Sequence, residues 1–126
     1  MKVTIEVISN EQQRYPTVGD WQWDSDREHL TISVSSMGNW RYEMLVAFHE
    51  LAECLICRHR GIDQSLVDAF DKLYERERTD GDVSEPGDDP MAPYYKEHQF
   101  ATCVERLLAL QLDVDWKQYN NTVESL

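Results

Sequence analysis

Residues 39–60 constrain this chain more than any other segment. Asn39 is suited to an N-cap, Glu43 falls in the first turn, Arg58, His59 and Arg60 fall in the last, and Gly61 supplies a stop. A side-chain oxygen at the cap takes up free amides, and charges of the right sign meet the helix dipole at each end. Trp40, Met44, Val46, Ala47, Phe48, Leu51, Leu55 and Ile56 cover an arc wide enough to imply deep burial. The middle of this helix is nevertheless polar, reading Phe48-His49-Glu50-Leu51-Ala52-Glu53-Cys54. Positions four apart share a helix face, so His49 and Glu53 can grip one ion while Glu50 faces a water bound to it.

The flanking segments suggest what covers that helix. Val3, Ile5 and Val7 alternate with Thr4 and Glu6, as in a strand with one buried face, and Leu30 to Ser35 repeats the pattern. Between them, Tyr15 to Trp23 can form a third strand, with Asp24-Ser25-Asp26 as the turn of a hairpin. After Gly61 a second helix is expected over 65–78, capped by Asp63 or Ser65 and carrying Leu66, Val67, Phe70, Leu73 and Tyr74. Residues 79–93 break regular structure with Gly81, Pro86, Gly87, Pro90 and Pro93 among five acids. A loop of that length reads first as a solvated linker, or else as a lid that brings Glu85, Asp88 or Asp89 to a metal. Pro93 suits the first position of a third helix, expected over 94–112 with Phe100, Ala101, Val104, Leu107, Leu108 and Leu112 as its buried stripe. Val114 to Tyr119 reads as a short terminal helix. The expected class is α+β: a small N-terminal antiparallel sheet of two or three strands (1–36) followed by three main helices, in one domain spanning 1–126.

Composition narrows the function. A chain of 126 residues, 41% hydrophobic, supports a modest core, and no apolar run is long enough for a membrane span or leader. Twenty-four acidic residues against 12 basic give a formal charge of −12, which opposes direct nucleic acid binding. Three cysteines fit free thiols in a reducing compartment, so a cytoplasmic location is expected. Cys54 and Cys57 lie well inside the helix rather than at its N-terminus, where the dipole would activate a thiol; they read as small core residues. Trp21, Trp23, Trp40 and Trp116 suit either the core or the wall of a cleft.

A hydrolytic zinc site needs three protein ligands, an open position for water and a carboxylate to take that water's proton. His49 and Glu53 supply two ligands and Glu50 the general base, while His98, early on the third helix, is the best candidate for the third ligand. Tyr95, Glu97 and Gln99 beside it are candidates for orienting its ring.

His49-Glu50-Leu51-Ala52-Glu53 on a helix after a small sheet resembles the zincins, metallopeptidases with a His-Glu-x-x-His helix. The resemblance implies His49 as ligand and Glu50 as base, with Glu53 where the second His stands, acting on a peptide or protein substrate. A carboxylate in that place adds charge and makes manganese or magnesium more competitive with zinc. The chain as a whole also resembles small bacteriophage and prophage proteins, which implies an alternative: an acidic, non-enzymatic accessory protein acting through a partner. A second alternative uses Glu50-x-x-Glu53 with Asp68-x-x-Asp71, a paired-carboxylate pattern similar to that of all-α nucleotide pyrophosphohydrolases, in which the acids hold magnesium against a diphosphate.

Overall fold

The computed structural model describes residues 1–126. It contains strands β1 (Lys2–Ile8), β2 (Gly19–Trp23) and β3 (His29–Ser35), then helices α1 (Trp40–His59), α2 (Gln64–Glu77), α3 (Tyr95–Gln111) and α4 (Trp116–Glu124). Short 3-10 turns occupy Asn10–Gln12 and Pro86–Asp88. The class is therefore α+β, with the sheet at the N-terminus.

β2 and β3 form the expected hairpin, pairing Trp21 with Ile32. Its turn is built by Asp24, whose Oδ1 accepts from the amides of Glu28 and His29 at 2.9 and 3.1 Å, and by Arg27 in the left-handed region at φ 56°. β1 joins β3 on the far side, but in parallel, with Val3 beside Leu30, Ile5 beside Ile32 and Val7 beside Val34. The sheet is thus mixed, in the order β1-β3-β2, rather than antiparallel throughout. Alternation assigns residues to faces and carries no information on the direction of pairing.

That register puts Val3, Ile5 and Val7 on the same face as Leu30, Ile32 and Val34. Only the β3 residues are fully buried, because α1 packs over β2 and β3 and leaves β1 overhanging at the edge with its three apolar side chains exposed. The buried face expected for β1 is a half-covered one.

α1 starts and stops where its ends predict. Asn39 Oδ1 accepts from the amide of Arg41 at 3.0 Å, and Gly61 takes the left-handed conformation at φ 72° that closes the C-terminus. α2 and α3 begin within a residue or so of expectation, although Pro93 lies just before α3 instead of opening it. α4 extends past Tyr119, capped by Asp115, whose side chain accepts from the amide of Gln118. No helix is long and apolar enough to cross a membrane.

α3 runs antiparallel to α1, since Arg60 near the end of α1 pairs with Glu97 while His49 reaches Glu105. Its inward face is Glu97, His98, Ala101, Glu105 and Ala109. The expected apolar stripe is overturned in part: Ala101 is buried and Leu108 and Leu112 half-buried, but Phe100 is exposed and Leu107 is 65% exposed. Small residues at 101 and 109 let the two helices approach closely enough for the polar side chains between them to meet. Cys54 and Cys57 are buried free thiols, as their place inside α1 predicts, and Cys103 is free and exposed.

Candidate metal centre

His49, Glu53 and His98 come together between α1 and α3, each buried. Trp21, buried on β2, donates its indole N–H to Glu53 Oε1 at 3.0 Å and so turns Oε2 toward the two rings. Glu53 Oε2 lies 3.3 Å from His49 Nε2 and 2.9 Å from His98 Nδ1, and the two ring nitrogens are 3.1 Å apart. Donors at about 2.0 to 2.1 Å from one ion are separated by about 3.3 Å in a tetrahedron and about 3.0 Å in an octahedron. The triangle therefore fits one face of either polyhedron around a single ion. Two imidazoles and one carboxylate suit zinc or another transition ion better than magnesium.

The far side of each ring is also engaged. His49 Nδ1 lies 2.8 Å from Glu105 Oε1, and Glu105 Oε2 accepts from the Tyr119 hydroxyl at 2.5 Å. With the Nδ1 proton directed at Glu105, the Nε2 lone pair is left facing inward, the tautomer a ligand requires. His98 Nε2 faces Glu85 Oε2 at 3.1 Å and Asp88 Oδ1 at 3.3 Å. Both acids come from the 79–93 segment, which is docked against the site and not a solvated linker. Gly87 lies under the His98 ring, where an added Cβ would run into ring atoms Cγ and Nδ1.

Electrostatics follow from this crowding. Burial disfavours the charged form of His49, but contacts with Glu105 and Glu53 outweigh it and hold the ring protonated well above its ordinary range. For His98, burial is likewise outweighed by Glu53 and Glu85, and the pKa rises to about 10. Burial would raise Glu53, yet His49 and His98 bring it down to about 2. An ion entering the triangle therefore displaces protons from the two inward nitrogens.

Glu50 sits beside the triangle. Burial first, then the charge of Glu53, push its carboxyl well above the usual range, so it is poised to hold a proton. It packs against β2 at Gly19, where an added Cβ would lie 2.7 Å from Glu50 Oε1 and 2.7 Å from Val46 Cγ1. His49, Glu50, Glu53 and His98 all line one cavity of about 910 Å³, which Trp21 and Tyr15 also border.

No protein-family model, curated protein or solved structure matches the chain.

Asp68 and Asp71 line the same cavity, but they form no close donor cluster with Glu50 and Glu53. They are already committed elsewhere. Arg14 bridges Asp20 and Asp68, with contacts of 2.7 and 3.2 Å. Asp71 accepts from the hydroxyls of Tyr15 and Tyr94, and burial, opposed by those two bonds, raises it to about 7. Of the groups expected to orient His98, Gln99 acts at one remove by donating to Asp88 at 2.9 Å, while Glu97 pairs with Arg60 and Tyr95 packs on the core. Glu105 and Tyr119 were not singled out by their sequence. The spacing His98, Ala101, Glu105, Ala109 does trace one helical face, and a polar pair flanked by alanines is the signal that could have located it.

Proposed function

We propose that the protein is a metal-dependent hydrolase of the zincin type acting on peptide or amide bonds. Zinc is held by His49, Glu53 and His98, with manganese the nearest competitor, and Glu50 is the general base. One observation carries this reading: three inward donor atoms lie 2.9 to 3.3 Å apart, with His49 oriented from behind by Glu105. A zinc ion in such a place acidifies a water and polarises a carbonyl. Glu50, ionised once a cation in the triangle offsets the charge of Glu53, would take the water's proton and return it to the leaving amine.

β2 is an edge strand of the sheet and borders the cavity. The ladder bonds Asp24 N–H to His29 and Val18 C=O to Ser35, so the even-numbered residues of β2 face β3 and the odd ones face out. Trp23 N–H is taken by Gln64 and Gly19 C=O by Thr17, and Trp21 beside the cavity is itself buried, so this edge is largely occupied.

The test is Glu50→Gln assayed with zinc-loaded protein on a mixed library of quenched-fluorescent peptides. Turnover is expected to fall by about 10²-fold or more with zinc content and the circular dichroism spectrum unchanged. Wild-type protein that cleaves nothing, or a variant as active as wild type, would sink the peptidase reading.

The binding-only alternative is favoured by one observation, the exposed Phe100, Leu107 and Leu110 on the outer side of α3. It predicts no effect of Glu50→Gln on partner capture. Engagement of Asp68 by Arg14 and of Asp71 by two tyrosines weighs against the pyrophosphohydrolase, for which pyrophosphate release from nucleoside triphosphates with magnesium is the discriminating assay.

A further inference from the structure

His98 presents both ring nitrogens to acids: Nδ1 to Glu53 in the buried triangle, and Nε2 to Glu85 and Asp88 of the docked segment. Glu85, Asp88 and His98 form a second cluster whose donor atoms all lie within 4.8 Å of one another. The acids are half-exposed, but His98 is only 5% exposed. Its Nε2 is fully enclosed and has no hydrogen-bond partner, because neither oxygen lies along the N–H direction. For a simple ion pair this is poor geometry. For a coordination site it is the expected one, since an ion on the ring nitrogen occupies the in-line position and its other ligands stand to the side. The Nε2 to oxygen separations of 3.1 and 3.3 Å match the donor spacing of the first site.

We infer that Glu85, Asp88 and His98 Nε2 hold a second divalent cation, with His98 bridging it to the ion of the buried triangle. When the second ion binds, the Nε2 proton passes to solvent and His98 becomes an imidazolate. Formal charge then balances: two divalent ions face Glu53, Glu85, Asp88 and the imidazolate. Gly87 and Gln99 fix the outer acids, the first by letting the loop lie against the ring and the second by its bond to Asp88 at 2.9 Å. The outer site has solvent-exposed ligands and is the weaker of the two. It would tie the docked 79–93 segment to the centre through His98. The inference rests on the proposed centre for its inner ion alone.

The experiment is equilibrium dialysis of wild-type protein and of an E85Q/D88N variant against buffered zinc, with bound metal counted by elemental analysis. Wild type is expected to take two equivalents, the second at least about tenfold weaker, and the variant only the tight one, whose retained affinity also reports that it is folded. One tight equivalent in wild type, unchanged in the variant, overturns the second site and leaves the inner centre standing. Two equivalents in both proteins also overturns it, placing the second ion elsewhere. No tight equivalent in wild type removes the inner centre itself, and the bridge with it.

Discussion

Two residues with small or neutral side chains do work that their neighbours' charges obscure. Gly19 has ordinary strand geometry, so its requirement is for space: Glu50 Oε1 and Val46 Cγ1 fill the position a Cβ would take. Under the proposed peptidase reading, Gly19→Ala should push Glu50 aside and lower turnover by about 10² while leaving zinc content intact, since displacing a catalytic group by about 1 Å costs that much. Steady-state kinetics beside metal analysis would separate the two effects; equal loss of metal would place the damage in the triangle instead. Asp71 is different in kind. Its folded pKa of about 7 exceeds its ordinary 3.8, so the folded protein retains a proton that the unfolded chain releases. Stability from this residue is greatest below that ordinary value and declines as pH rises toward 7. Asp71→Asn should flatten that slope and stabilise the protein at pH 8, as read by urea unfolding across the range; an unchanged slope would refute the assignment.

At the scale of elements, α4 acts on the triangle without contributing a donor to it. Tyr119 on α4 holds Glu105 on α3, which holds His49 on α1. Tyr119→Phe keeps the aromatic packing with Tyr42 and Trp116 but removes the hydroxyl, and zinc affinity in a competition titration should fall by about tenfold. Affinity within error of wild type would make that bond structural only. The same elements mark what could be read in the sequence. The ends of α1 were legible at Asn39 and Gly61 because its caps are local chemistry, and His49 with Glu53 followed from spacing alone, but its buried arc was read too wide: Trp40, Phe48 and Leu55 are exposed. His98 was legible as the nearest spare imidazole on a later helix. The inward face of α3 was not: hydrophobicity pointed to Phe100 and Leu107, while the structure buries His98 and Glu105, whose partners lie on other helices. A buried polar face has no signature until the residues that satisfy it are in place.

The whole molecule is a lopsided stack, with α1 seated over two of three strands. Sequence fixes neither that offset nor the parallel register of β1, because both depend on contacts remote in the chain. They set the order in which the parts assemble. β2 and β3 meet across a tight turn, whereas Lys2 must wait for His29, beyond the whole of β2. Closing that longer loop costs roughly 1 to 2 kcal/mol more in chain entropy. No helix packs extensively on β1 to repay it, and Val3, Ile5 and Val7 stay exposed. Native-state amide exchange should find β1 opening at lower free energy than β2 and β3, with uniform protection across the sheet as the contrary result. β1 is thus the last strand to be locked in place, and the cavity around the buried triangle, which borders β2 and not β1, can be complete before it.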